Sequence, residues 1–84
     1  MKTEIHFSPA GNTIIGNHSA YRDLDLAIEQ KSVPLPYGYV IEGEERDIRR
    51  LAEYVELFGN CIRRLAGWQK ACELAGVTIE REAA

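Results

Sequence analysis

The run from Glu44 to Ala75 constrains the fold more than any other stretch of the chain. Ile48, Leu51, Val55, Phe58, Ile62, Leu65, Gln69 and Cys72 recur at alternating steps of three and four, a heptad seam that is apolar except at Gln69. Tyr54, Cys61, Trp68 and Ala75 widen the seam on one side, and Ala52, Gly59 and Ala66 widen it on the other. Arg49, Arg50, Glu53, Glu56, Arg63, Arg64 and Lys70 fill the opposite face, where a solvated helix surface carries its charge. The pattern predicts one long amphipathic helix over 44–76.

Such a helix would be about 48 Å long at its ordinary rise per residue, whereas a compact chain of this size has a radius of gyration of about 12 Å. Two outcomes are open. The helix breaks into a hairpin at Gly59-Asn60 or at Gly67, where glycine costs roughly 1 kcal/mol relative to alanine, or its free end packs on another chain. The heptad phase runs unaltered through both glycines and a hairpin turn normally resets it, so the pattern favours a continuous or gently bent helix that associates. The expected homodimer interface is Tyr54, Phe58, Gly59, Cys61, Ile62, Leu65 and Trp68, with aromatics of the kind enriched at interface centres. The other reading of the same stripe is cover for the chain's own sheet.

Upstream, Met1, Thr3, Ile5 and Phe7 alternate with Lys2, Glu4, His6 and Ser8, the period-2 signature of a strand with one buried face. Ser8-Pro9-Ala10-Gly11-Asn12 supplies turn residues, and Thr13-Ile14-Ile15 reads as the return strand of a hairpin. Ser19 is a suitable N-cap for a short helix carrying Leu24, Ala27 and Ile28 on one side and ending near Lys31. Two prolines make Ser32 to Pro36 a stiff extended connector. Tyr37, Tyr39 and Ile41 then alternate as a third strand, Glu42 to Glu45 begin the long helix, and Glu45 pairs with Arg49 one turn on. Gly76 stops that helix, Val77-Thr78-Ile79 packs back or adds an edge strand, and residues 80–84 fray. The fold class expected is α+β: a β-β-α-β-α domain over 1–84, in which a short antiparallel sheet packs against one long C-terminal amphipathic helix. Residues 1–43 hold the hairpin, short helix and third strand, 44–76 the long helix and 77–84 the tail.

With 84 residues the chain buries only a modest core, and association would help it. Ten Lys plus Arg against thirteen Asp plus Glu give a net charge of −3, which offers no global attraction to nucleic acid or to an anionic membrane. No apolar run is long enough for a signal peptide or for the ~18 residues of a spanning helix. A cytoplasmic location, with no membrane partner, is expected. Cys61 and Cys72 lie about 16 Å apart along an unbroken helix, beyond disulfide reach. They are expected as buried reduced thiols.

No catalytic, cofactor or metal motif stands out. His6, His18, Cys61 and Cys72 match no zinc spacing, the glycines form no phosphate loop, and Cys61 among Phe58, Ile62 and Leu65 lacks the exposed electropositive setting of a nucleophile. The chain is therefore expected to be non-enzymatic and to need no cofactor. Two binding surfaces remain. Asp23, Asp25, Glu42, Glu44 and Glu45 form an acidic set that could imitate a phosphate backbone and occupy a basic groove on another protein, or simply cap a helix start. Arg46, Arg49, Arg50, Arg63 and Arg64 are the alternative, a nucleic-acid face, although Glu45, Asp47, Glu53 and Glu56 interleave with them and cancel much of the field. The leading expectation is a protein-binding inhibitor or regulator that occupies a partner's surface. In size, acidity and lack of catalytic residues the chain resembles the small proteins that phages and other mobile elements encode to block host defences, anti-CRISPR proteins included. That resemblance is one of general character and rests on no particular residue.

Overall fold

The computed structural model describes residues 2–8, 13–15 and 19–82. Among them the chain forms strands β1 (Lys2–Ser8), β2 (Thr13–Ile15), β3 (Tyr39–Glu44) and β4 (Thr78–Arg81), and helices α1 (Ser19–Lys31), α2 (Glu45–Phe58) and α3 (Leu65–Ala75). The architecture is α+β. The strands make one antiparallel sheet in the order β2-β1-β3-β4. Thr3, Ile5 and Phe7 of β1 point inward and Glu4 and His6 point outward, as their alternation requires. The inward residues join Ile41 of β3, Leu24 and Ile28 of α1, Leu51 and Val55 of α2, and Trp68 and Cys72 of α3 in a single core.

The expected long helix is not formed. α2 ends at Phe58, a 3-10 turn covers Gly59–Cys61, and Ile62 and Arg64 are extended before α3 starts. The longest dimension of the molecule is 31 Å, too short for the 44–76 rod. The break falls at Gly59, which is buried. A Cβ there would stand 2.5 Å from Cβ and 2.7 Å from Cγ of Lys31, the stem of a side chain and not its mobile tip, so the close approach of α1 to the break requires glycine. Gly67, the other candidate break point, lies within α3.

The break also resets the helical phase. α2 buries Ile48, Leu51, Ala52 and Val55, while α3 buries Trp68, Ala71, Cys72 and Ala75, the same 3-1-3 spacing displaced by one residue from the heptad frame. Gln69 of the seam is exposed and Leu65 half-buried. The apolar flank at Trp68 and Ala75 concealed the shift.

The third strand begins and ends later than expected. Tyr39 N–H donates to the Pro36 carbonyl at 3.1 Å, with Gly38 at φ +89°, a turn that needs the left-handed region at its third residue. Glu42, Gly43 and Glu44 are strand and not helix start, because β1 pairs with them through Glu4, Thr3 and Lys2. Glu45 then opens α2 and its carboxylate accepts from Arg49 at 3.2 Å, as the spacing predicts. Gly76 ends α3 at φ +79°, with Gly76 N–H donating to Glu73 and Val77 N–H to Cys72, the bond pair of a Schellman cap. Beyond it the tail adds to the sheet as β4.

Candidate functional site

The helices cover one side of the sheet, and the other side carries a concentration of carboxylates. Register places Glu4 of β1 opposite Glu42 of β3, and Glu42 opposite Thr78 of β4. One row further, His6 lies opposite Val40 and Val40 opposite Glu80. Residues opposite one another share a face, spaced about 5 Å between strands and about 7 Å from one outward position to the next. Glu44 continues the same side at the end of β3, and Glu82 follows β4, its N–H donating to the Gly38 carbonyl at 2.8 Å. Four strand glutamates and Glu82 thus share one face with His6, and the register sets Lys2 opposite Glu44 at its end, in a chain whose net charge is only −3.

His6 ties this face together. Its Nδ1 lies 2.6 Å from a Glu82 oxygen, 76 residues away in sequence, and its Nε2 lies 3.4 Å from Glu4. The Glu82 hydrogen bond raises the imidazole pKa above its ordinary 6.5, opposed by burial and helped by Glu4. Protonated His6 is therefore favoured in the folded chain. Its contribution to stability is fully present below the ordinary value and is lost as pH rises through the raised one. Wild type and His6→Gln should differ most in urea midpoint on the acid side of pH 6.5, with the gap closing above neutrality. Parallel profiles would show that the clasp carries no stability.

The expected acidic set is divided. Glu42 and Glu44 belong to the sheet face, whereas Asp23 and Asp25 sit on α1 and Glu45 is engaged with Arg49 on α2. Asp23 lines a cleft of about 310 Å³ between α1 and α2 together with Arg49, Glu53 and Glu56. Sequence reasoning missed Glu4, His6, Glu80 and Glu82 as one group. The outward alternation of Glu4 and His6 was visible, but residues 80–84 read as a frayed end, and only the β3–β4 pairing brings Glu80 and Glu82 alongside.

The arginines are divided as well. Arg46, Arg49 and Arg50 are exposed on α2, while Arg63 and Arg64 lie in the extended segment before α3. Arg63 donates to the Gly59 carbonyl at 3.4 Å, and Arg46 stands 3.8 Å from Asp47. They do not form one helical face.

Of the expected interface residues, three are inside the molecule. Trp68 is 1% exposed and Ile62 2%, and Gly59 is buried under Lys31 and Val33. Trp68 packs against Phe7 at a centroid distance of 5.7 Å, and its indole N–H donates to the Pro34 carbonyl at 2.8 Å. Tyr54 and Phe58 stack at 5.9 Å, with Tyr54 and Leu65 half-buried. Phe58 and Cys61 remain at the surface beside an apolar groove of about 300 Å³ between α3 and the segment that precedes it.

The two thiols part company. Cys72 is buried as expected and burial pushes its pKa up to about 12. Cys61 is exposed, because the 3-10 turn carries it out of the helical seam. His18 lies outside the described residues. Among the described residues no three His, Cys, Asp or Glu side chains converge as a metal site, and no helix is long and apolar enough to cross a membrane.

No protein family, curated protein or solved structure matches this chain.

Proposed function

We propose that the protein is a non-enzymatic binding module, a small inhibitor or regulator that acts by occupying a basic surface of another protein. The observation that carries this reading is the outer sheet face, where Glu4, Glu42 and Glu80 stand on adjacent strands and Glu82 follows the last of them. Such an excess of negative charge, offset in part by His6, speeds encounter with an oppositely charged surface and selects against acidic ones. Sheet residues hold their backbone spacing, so the charged positions are arranged in advance of binding.

The test uses the intact chain as bait in lysate from its source cells, beside a Glu4→Gln, Glu42→Gln, Glu80→Gln variant. The expected result is a protein captured by the wild type and lost with the variant. When that protein is purified, its affinity should fall steeply with added salt. Equal capture by both baits would refute the reading. Binding to duplex DNA that is lost in Arg49→Glu/Arg50→Glu would replace it with the nucleic-acid alternative.

A further inference from the structure

β4 is the outermost strand of the sheet, and among the described residues no further strand pairs with it. Its hydrogen bonds alternate along the chain. Glu82 N–H donates to the Gly38 carbonyl at 2.8 Å, which extends the pairing of Val40 with Glu80 and of Glu42 with Thr78. Thr78, Glu80 and Glu82 therefore turn their backbone polar groups toward β3, and Ile79 and Arg81 turn theirs away from it, onto the free edge. The two sets of N–H and C=O groups stand about 7 Å apart. β4 carries no proline, the residue that blocks an incoming strand.

This edge borders the acidic face. An added strand places alternate side chains on the outer side, beside Thr78, Glu80 and Glu82, and the others on the helix side, beside Ile79 and Arg81. Glu82 is engaged by His6, whereas Glu80 is exposed and forms no ion pair among the described residues. A cation on the outer side of the added strand pairs with it. On the helix side Ile79 is half-buried, and Arg81 already holds a guanidinium over the Tyr39 ring at 5.7 Å, so a second cation there is repelled. The edge thus selects the phase of the incoming charges as well as their sign. Pairing with β4 of a second copy would merge two acidic faces and set Glu80 opposite or diagonal to a glutamate of the other copy, so charge argues against a self-paired edge.

We infer that the partner docks by strand addition: an extended segment with Lys or Arg at alternate positions and uncharged residues between them pairs with the free edge of β4 and lays its cations beside Glu80. This rests on the reading of the sheet face as the partner-binding surface and names the form of chain that the face takes. Main-chain bonds at Ile79 and Arg81 supply affinity for an extended chain, and the outer glutamates supply the choice among such chains.

The probe is a peptide of about eight residues, alternating lysine and valine, a length that covers an ordinary strand. Added to the isotope-labelled full chain, it should slow amide hydrogen exchange at Ile79 and Arg81, the two positions whose N–H groups it would bond. Two further peptides carry N-methyl groups, one on the lysine amides and the other on the valine amides. Whichever blocks the edge facing β4 should bind at least about tenfold more weakly than the parent, and the other should match it. A peptide of alternating glutamate and valine should not bind. Arg81→Pro removes an outward N–H at a position where an edge strand tolerates proline, and should weaken the parent peptide while far-UV circular dichroism stays unchanged. The methylated peptides leave the protein unaltered, so the test stands even where that variant does not fold.

Unchanged exchange at Ile79 and Arg81 at every attainable peptide concentration overturns the proposal. Equal binding of all three lysine peptides also overturns it. If that binding is lost in the Glu4→Gln, Glu42→Gln, Glu80→Gln variant, the contact is charge alone and the proposed function stands without strand addition. Equal binding of the glutamate peptide overturns the basic partner class, and with it the reading of the acidic face.

Discussion

Trp68→Ala is expected to lower the free energy of unfolding by about 3–5 kcal/mol, the range for deleting a large buried aromatic. For a domain whose total stability is about 5–15 kcal/mol, this is a large share and brings the chain close to unfolding. Two losses combine. The ring packs against Phe7 of the central sheet, so truncation opens a cavity where α3, β1 and the connector meet. The indole also satisfies the Pro34 carbonyl in a segment whose prolines supply no donors of their own. Trp68→Phe keeps most of the volume and removes the donor, and its cost should be about 1–3 kcal/mol. Urea denaturation measures both. A loss below about 1 kcal/mol for Trp68→Ala is what a surface side chain would give, and it would return Trp68 to the list of residues available to a partner.

Gly59→Ala decides between the two readings of the long apolar run by its sign. In the interior of a continuous helix the change would stabilise the protein by about 1 kcal/mol, because alanine is the better helix former. In the structure the new methyl group meets Lys31 Cβ at 2.5 Å and Val33 at 3.3 Å. Neither is the free end of a flexible side chain, so α1 and the turn must separate, and a loss of about 1–3 kcal/mol is expected. Gly67→Ala serves as the comparison, with a lesser crowding of 3.1 Å against Ile62. A more stable Gly59→Ala protein would rule out the tight approach of α1 to the break.

Local rules carried a good part of the fold. The alternation of Thr3, Ile5 and Phe7, the Gly76 stop and the Glu45–Arg49 pair need no knowledge beyond a few residues on either side, and the structure forms each of them. The break at Gly59 was not legible in the same way. The packing around it involves Lys31, a residue of another helix whose approach leaves no room for a side chain at 59, and the sequence offers only the modest intrinsic penalty of a glycine. The unbroken heptad pointed away from it because Trp68 and Ala75, apolar on the flank, take over from Leu65 and Gln69 once the helix restarts. Cys61 followed that error to the wrong side of the surface.

The candidate site failed to show for a related reason. Glu42 and Glu44 stood out as a cluster in sequence, but the residues that share their face come from β1 and β4, joined only through the sheet. Adjacency along the chain instead suggested Asp23, Asp25 and Glu45, which the helices carry elsewhere. A strand's outward residues are legible one strand at a time. Which strands lie side by side is a tertiary fact.

The clasp between His6 and Glu82 has a kinetic side. It spans 76 residues, and the pairing of β3 with β1 on one edge and β4 on the other joins segments that are distant along the chain. Closing such loops costs entropy before any contact repays it, and sheets assembled this way fold more slowly than helical bundles of equal size. Until β4 arrives, β3 offers an unpaired edge with the apolar pair Val40 and Ile41 on it, the kind of template that recruits a neighbouring chain. The last strand is thus also the cap on an aggregation-prone edge, and the interval before it docks is when the chain is most exposed to misassembly.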